Sequence, residues 1–560
     1  MKLKNNQNII VIAIVGIAFA VSFFFFFRID LTSDKRYSIS PQTKGLMQKI
    51  QAPVDVTIYL DGDLNPGFLR LKNATEDMVE EMAVYATKEL NIHFENPSTA
   101  SSNDERQRKY TELEALGMSP TAIYERDKEG KSIQKIIFPW IKMTSNGKTI
   151  YVNLLKNIRG NSGDENLNIS IENLEFEITD GFRRLINKEI TKIAFIEGHG
   201  ELTDAETYDI SKTLSRYFQI DRGVLGSDAT ILTDYKAIII AKPTNPFSES
   251  DKYIIDQYIM NGGRVLWLID GVQIARENLS KTGLSPAIAL DLNLGDQLFK
   301  YGVRIAPVIL QDVQCATIPV NIANINDKPQ FEPSPWYYAP LLLTSPEHPV
   351  TKNMTEVRGE FSSAIELVGE NKQVTPTLLL ATSGNTHAII TPATINLADM
   401  PKADDKSYFN TAYAPVAVLL EGVFESDFAN RMAPREIKQA FPLLEKSLKT
   451  RQIIVSDGDI IRNETNGIAS DSTTLPLGFD RYMNQQFGNR EFIQNAILYL
   501  ADEEGWLDLR SRSLKLRLLN KSKVSDQRLV WQIVNVAVPL LLLLTFGLIY
   551  QIVRKRKYTK

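Results

Sequence analysis

Cysteine is almost absent from this chain: Cys315 is the only one among 560 residues, and histidine occurs four times. A single thiol excludes an intrachain disulfide and any cage of cysteine ligands around a metal. No HExxH pair is present, so a helical zinc site has no basis in the sequence. The GxSxG elbow of an α/β-hydrolase is missing too. Gly147–Lys148–Thr149 has the ending of a phosphate-binding loop, but Lys142 stands where the first glycine belongs. The pattern also falls in a hairpin, not between a strand and a helix. Cys315, in QDVQCATIP, has no Gly-flanked turn and no histidine beside it. A charge excess is lacking as well: the net charge of −4 and pI near 5.9 give no footprint for nucleic acid. These absences argue against an autonomous hydrolase or ATPase, and no catalytic residue, cofactor or metal is expected.

Long apolar runs stand at both ends. Ile9–Phe27 has Ser22 as its only polar member and as a helix would span about 28 Å, close to the hydrocarbon thickness of a bilayer. A cleaved signal peptide is the competing reading, but the run ends in five phenylalanines, Phe23 to Phe27, without a small-residue cleavage site. The second run, Ile533–Val553, has Trp531 and Tyr550 near its boundaries and the basic tail Arg554–Lys555–Arg556–Lys557 behind it. Two spans make a hairpin with both termini on one side. Lys2, Lys4 and the basic tail favour cytoplasmic ends. Arg510, Arg512, Lys515, Arg517, Lys521 and Lys523 oppose this, but they end a segment of roughly 500 residues, beyond the range over which such charges count. The expectation is therefore a cytoplasmic (inner) membrane protein with its body outside the cytoplasm.

The body is organised around Lys192–Glu201, KIAFIEGHGE. Ile193–Ile196 reads as a buried strand, and Gly198 and Gly200 allow the sharp reversal that follows. Asp204–Phe218 then reads as a helix, Ala237–Ala241 as a strand, Ser248–Met260 as a helix stopped by Asn261–Gly262–Gly263, and Arg264–Asp270 as a strand. Strands apolar throughout, alternating with helices, predict a mostly parallel sheet covered on both faces. The loops starting near Glu197, Lys242 and Asp270 should then cluster beyond the carboxyl ends of the strands.

Before this lies a separate α/β module. It has a half-buried strand at Val54–Leu60, a helix over Phe68–Leu90, a strand at Asn91–Glu95 and a helix at Asp104–Leu116. Strands at Lys135–Met143 and Lys148–Leu155 flank the turn Asn146–Gly147, and a closing helix carries Ile171, Leu174, Ile178, Phe182 and Leu185 on one face. Beyond the centre, Gly271–Gln330 reads as irregular and Pro333–Pro349 as a stretch that wraps a surface. Strands return at Thr377–Ala381, Pro415–Leu420 and Gln452–Val455, with Gly384–Lys406 as a surface excursion, and Gly488–Leu500 is helical. The domains expected are an anchor at 1–30, an N-terminal α/β domain at 31–188, a central domain at 189–460 with long excursions, a helix and basic juxtamembrane segment at 461–529, and the second span with its tail at 530–560.

Five residues are candidate contacts for a ligand or partner. Glu197, His199 and Glu201 stand at the strand end, where the competing reading is a tight surface turn whose His199 could be removed at little cost. Asp457 and Asp459, in SDGDII, imitate the start of a calcium loop, but Ile461 replaces the third ligand and a turn is favoured. The run Arg510–Lys523 reads equally as an amphipathic edge strand or as a headgroup-contacting segment.

The chain resembles the auxiliary, so-called substrate-binding component of gliding-motility-associated ABC transporters, the GldG type. The residues that carry the resemblance are Asp30–Leu31–Thr32 with Arg36–Tyr37–Ser38–Ile39–Ser40, then Phe195–Glu201, Glu347–His348–Pro349–Val350 and Ala381–Thr382–Ser383. Gly422–Val423–Phe424–Glu425–Ser426, Ser456–Asp459 and Phe492–Asn495 leading into Leu498–Tyr499–Leu500 complete them. The resemblance implies a non-catalytic, extracytoplasmic subunit that works with a separate permease and ATPase, with membrane lipid around its spans. It also implies a central domain similar to the class I glutamine amidotransferase-like fold, without that activity, since the cysteine elbow is missing. The alternative is an extracytoplasmic enzyme or small-ligand receptor using the Glu197–Glu201 loop.

Overall fold

The computed structural model describes residues 38–558, apart from 100–101, 127–131, 159–160, 188–190, 326–327, 370–372, 398–400, 439–441, 467–472, 504, 508 and 510–526. The first apolar run and the whole of the basic run 510–523 thus lie outside the described residues. The chain forms two compact units, Met1–Arg512 and Ser513–Lys560.

The first unit opens with helix α1 (Pro41–Gln48), which Ser40 caps by accepting a hydrogen bond from the Thr43 amide. Proline at the first helical position costs nothing there, because its missing N–H would have no partner. Strand β1 (Val54–Ile58), helix α2 (Pro66–Tyr85), strand β2 (Leu90–Phe94) and helix α3 (Asn103–Ala115) follow. Strands β3 (Thr121–Arg126) and β4 (Ser132–Ile137) make a hairpin of their own, and β5 (Trp140–Ser145) and β6 (Lys148–Asn153) make another. The four-stranded sheet has the order β2-β1-β5-β6. The single strand expected over Lys135–Met143 is split, because Pro139 has no N–H to carry a ladder onward. The Asn146–Gly147 turn is as expected, with both residues at positive φ (50° and 77°). Helix α4 (Gly163–Ile186) closes the module, opened by a reciprocal capping box between Ser162 and Glu165.

The larger sheet has ten strands. Five are parallel: β7 (Thr191–Glu197), β8 (Phe218–Val224), β9 (Tyr235–Ala241), β10 (Val265–Leu268) and, after the intervening strands β11 to β14, β15 (Thr450–Val455). Their spatial order, β8-β7-β9-β10-β15, reads 2-1-3-4-5 along the chain. The sheet continues antiparallel beyond β15 through β14 (Pro415–Gly422), β13 (Val374–Ala381), β12 (Lys328–Thr344) and β11 (Cys315–Ile325). It is therefore mixed, not mostly parallel. A run apolar throughout reports burial on both faces and carries no information on strand direction.

Alternation places successive side chains of these strands in two cores. Phe195, Ile239, Leu266 and Ile453 join Phe492, Ile493 and Ile497 of helix α7 (Asn489–Ala501). Ile196, Ile240, Trp267 and Ile454 meet Tyr253, Ile254 and Ile259 of helix α6 (Glu249–Met260) on the other face. Trp267 is fully buried, and its indole N–H donates to Gln452 Oε1 at 2.9 Å.

Several segments depart from expectation. The helix read over Asp204–Phe218 shrinks to α5 (Tyr208–Leu214), and Phe218 instead begins edge strand β8. Gly271–Gln330 is not irregular; it holds two short helices and several strands, including Val308–Asp312. Thr386–Ile390, inside the expected excursion, pairs with that strand. The proline- and aromatic-rich stretch is the core-facing half of β12, with Trp336, Tyr338 and Leu342 buried. In the second unit, helix α8 (Arg528–Tyr558) contains a candidate membrane span at Val530–Arg556, within which the expected run Ile533–Val553 falls.

Candidate functional site

Beyond the carboxyl ends of the parallel strands, the loops from Glu197, Lys242 and Asp270 do come together. Gly198 and Gly200 turn the chain at φ 115° and 73°. The carbonyl of His199 then accepts hydrogen bonds from the amides of Thr244 and Asn245, both at 2.8 Å, tying the loop after β7 to the loop after β9. These loops flank the point where the strand order reverses, the usual ligand crevice of a doubly wound sheet. Here protein side chains fill it. The His199 ring stacks on Phe247 with centroids 3.7 Å apart. Its Nδ1 lies 3.0 Å from Glu201 Oε1 and its Nε2 lies 3.2 Å from Asp251 Oδ2. Burial disfavours the imidazolium, but the hydrogen bonds to Asp251 and Glu201 outweigh it and raise the pKa to about 9. Both ring nitrogens therefore donate at neutral pH. His199 is only 6% exposed, which corrects its reading as a dispensable surface-loop side chain. Glu197 points elsewhere and accepts from Arg222 Nε at 2.8 Å.

The second group lies at the ends of β9, β10 and β15. Lys242, held at φ 55°, places its Nζ 2.8 Å from Asp270 Oδ2 and 2.5 Å from Asp459 Oδ2. Asp457 caps the 3₁₀ turn Gly458–Ile461 through the Asp459 amide, at 2.9 Å. It also accepts from the Glu360 amide and the Ser362 hydroxyl. Gly458 N–H donates to Asp270 Oδ1 at 2.6 Å, and Arg276 Nη2 reaches Asp459 and Glu360 at 2.7 and 2.9 Å. Burial pushes the Asp457 carboxyl up, with Asp459 and Asp270 adding to it. Burial pushes Asp459 the same way, but Lys242 and Arg276 overcome it and hold that carboxyl below its usual range. Lys242 is held protonated by Asp459 and Asp270 against its own burial, so its amine is neither base nor nucleophile at neutral pH.

Asp270, Asp457 and Asp459 bring carboxylate oxygens within 4.8 Å of one another, a spacing that suits a cation. Lys242 and Arg276 already supply the compensating charge, so the aspartates act as a cap and as ion-pair partners. Beside Asp459 lies a cavity of about 450 Å³ that also meets Arg276, Arg358, Arg462 and Arg481. Its guanidinium groups are answered by acids: Arg358 by Glu464 at 2.9 Å and Arg462 by Asp459 at 3.3 Å.

The five candidates thus fall into separate places. Glu201 and His199 share one latch, Glu197 belongs to an edge-strand staple, and Asp457 and Asp459 sit in the ion-pair cluster. Lys242, Asp251, Asp270, Arg276 and Phe247 complete these groups and were not singled out. Position at the carboxyl end of an apolar strand was the available signal for Lys242 and Asp270. Nothing local marked Asp251, Phe247 or Arg276.

Fold and site together define a doubly wound α/β body, extended by an antiparallel half, whose carboxyl edge is closed by buried ion pairs. The chain belongs to the family described as an ABC-type uncharacterized transport system, whose model matches residues 191–496, more than half of the chain. This is a family of auxiliary components of ABC-type transporters. Residues 33–144 match a second model, a domain of unknown function (DUF7088). The chain is 22% identical over 580 aligned residues to an uncharacterized protein of Borreliella burgdorferi, covering 99% of this chain and 100% of that one. A solved structure, the mmIFT52 N-terminal domain, is 12% identical and covers 55% of this chain and 97% of its own, at a TM-score of 0.31, too low to define a shared fold.

Proposed function

We propose that the protein is a non-catalytic, membrane-anchored, extracytoplasmic auxiliary subunit of an ABC-type transporter of the gliding-motility, GldG type. It works beside a separate permease and a separate ATPase and engages a client through the outer body. The observation that carries this reading is the family match over 191–496. The candidate span in α8 agrees with it, and so does the carboxyl edge, where Lys242 and His199 are each held between two carboxylates. A charged, doubly paired amine is a structural group and offers no lone pair to a substrate. The strand order 2-1-3-4-5 supports a relationship of the central domain to the class I glutamine amidotransferase-like fold.

Affinity purification of the tagged full chain from detergent-solubilised membranes is the test. An ATPase and a polytopic permease are expected to co-purify in fixed ratio. Recovery of the chain alone, under conditions that keep other ABC complexes intact, would overturn the proposal.

A further inference from the structure

Helix α8 is apolar on every side, and its large apolar side chains from Val530 to Val553 are exposed. Within the span Val530–Arg556 the uncharged amide and hydroxyl side chains are Gln532, Asn535, Thr545, Tyr550 and Gln551. Gln532, Tyr550 and Gln551 stand near its two ends, where long side chains reach the membrane interface. Thr545 stands further in, and its hydroxyl donates to the Leu541 carbonyl at 2.7 Å. That group is therefore satisfied inside its own helix. Asn535 makes no side-chain hydrogen bond among the described residues.

The same residue leaves a second group open. Pro539 stands four positions on, inside the helix, and has no N–H to give the Asn535 carbonyl. One residue thus presents a backbone acceptor together with a carboxamide that both donates and accepts. Hydrocarbon holds no water to meet them, and a neighbouring helix is a principal source of the missing bonds.

A helix apolar all round allows many contact faces, and Asn535 selects one of them. Counting on from it in alternating steps of three and four gives Val538, Leu542, Thr545, Ile549 and Ile552. This is a seam of the coiled-coil kind, the crossing geometry most membrane helix pairs share. A single asparagine at a core position of such a seam fixes register and favours two parallel strands. A second copy of the chain meets these demands by symmetry. Inserted the same way, it brings its own Asn535 to the same depth. The carboxamide then bonds to its equal across a two-fold axis, Nδ2 donating to Oδ1 in both directions. Any other membrane helix has to carry a polar group at that one depth. We propose that α8 pairs in parallel with the α8 of a second copy through Asn535. The proposal rests on the membrane-anchored reading above.

The test follows energy transfer between full chains tagged with donor or acceptor after Lys560, in phosphatidylcholine vesicles, as the protein-to-lipid ratio is varied. The parent is expected to show saturable transfer, linear in acceptor fraction as a dimer requires. Asn535→Leu should need about tenfold more protein per lipid for half the transfer. Thr545→Val, which removes a hydroxyl already bonded within its own helix, should associate like the parent. A monomeric parent, an Asn535→Leu chain that associates as well as the parent, or a Thr545→Val chain weakened as much as Asn535→Leu would overturn the proposal. So would a parent that stays monomeric yet loses a co-purifying permease when Asn535 is changed, which would give this face to a different helix. Failure of the chain to float with the vesicles would instead sink the anchoring reading, so the two failures are distinct.

Discussion

His199 shows how far a residue's role departs from its neighbourhood in sequence. It sits between two glycines in a turn, yet its ring is buried on Phe247 and bonded to Glu201 and Asp251. Removing it leaves the Glu201 carboxylate, 2% exposed at the side chain, without its cation. His199→Ala should therefore cost about 3 kcal/mol, the usual cost of breaking one side of a buried pair, measured by urea unfolding of the purified chain. A loss below roughly 0.5 kcal/mol, typical of surface changes, would return the loop to the surface. The pH dependence follows from the same contacts. A histidine whose folded pKa lies near 9 contributes fully below its ordinary value of 6.5, and that contribution is lost as pH rises towards 9. Asp251 works in the opposite sense: burial opposes its charge, but His199 and Ser248 hold it below the usual carboxylate range. Its contribution is lost only as the medium becomes acidic. The parent should thus lose stability between pH 6.5 and 9 relative to His199→Gln. Parallel melting curves for the two across that range would refute the assignment. The flanking glycines differ as well. A Cβ at Gly200 would stand 2.1 Å from Thr244 Oγ1, whereas at Gly198 it would stand 3.3 Å from Val224 Cγ1. Both positions need positive φ, which costs about 1–3 kcal/mol, so Gly200→Ala should melt lower than Gly198→Ala.

At the level of elements, the capping box that opens α4 offers a clean test. Ser162 accepts from the Glu165 amide, and Glu165 accepts from the Ser162 amide. Ser162→Ala should destabilise the body by about 1 kcal/mol and leave its secondary structure unchanged by circular dichroism. A larger loss would mean that Ser162 does more than cap. Helix α4 was legible from the apolar stripe Ile171, Leu174, Ile178, Phe182 and Leu185 alone. The central strands were legible because both faces are buried, which makes the runs uniformly apolar. Strand β8 was not, since Asp221 and Arg222 break its apolar character. Arg222 belongs there because it lies over Phe195 and bonds to Glu197, Thr207 and the Leu202 carbonyl. The hairpin β11–β12 was hidden by prolines. The ion-pair cluster was half visible: convergence of the loops follows from strand direction, but Lys242 meets Asp459 across 217 positions. No local pattern encodes such a pairing. Of the short motifs behind the family resemblance, Asp30–Thr32 and Arg36–Tyr37 lie outside the described residues, whereas three others supply buried connectors. Ser383 donates to Asp312, Ser426 to Asp256, and Asn495 to the Val350 carbonyl.

For the whole molecule, the expected arrangement is a body outside the cytoplasm held by apolar spans, of which α8 is the described candidate. Protease added to intact spheroplasts should degrade the body and spare a tag placed after Lys560. Protection of the body would reverse the topology. The purified chain should neither hydrolyse ATP nor release ammonia from glutamine. Turnover abolished by changing Lys148 or Cys315 would contradict the non-catalytic reading.

The far edge of the ten-stranded sheet bears on how many copies of the chain can crowd together. Strand β11 is the outermost strand, and an exposed strand edge ordinarily invites a neighbouring chain to add itself. Pro319 stands within it, directly opposite Pro333 of β12. An incoming strand finds no N–H at Pro319, so the ladder cannot be extended there without a gap. Many copies can then stand side by side without their sheets fusing into a fibre. Replacing Pro319 with valine would remove that block, at some risk to solubility.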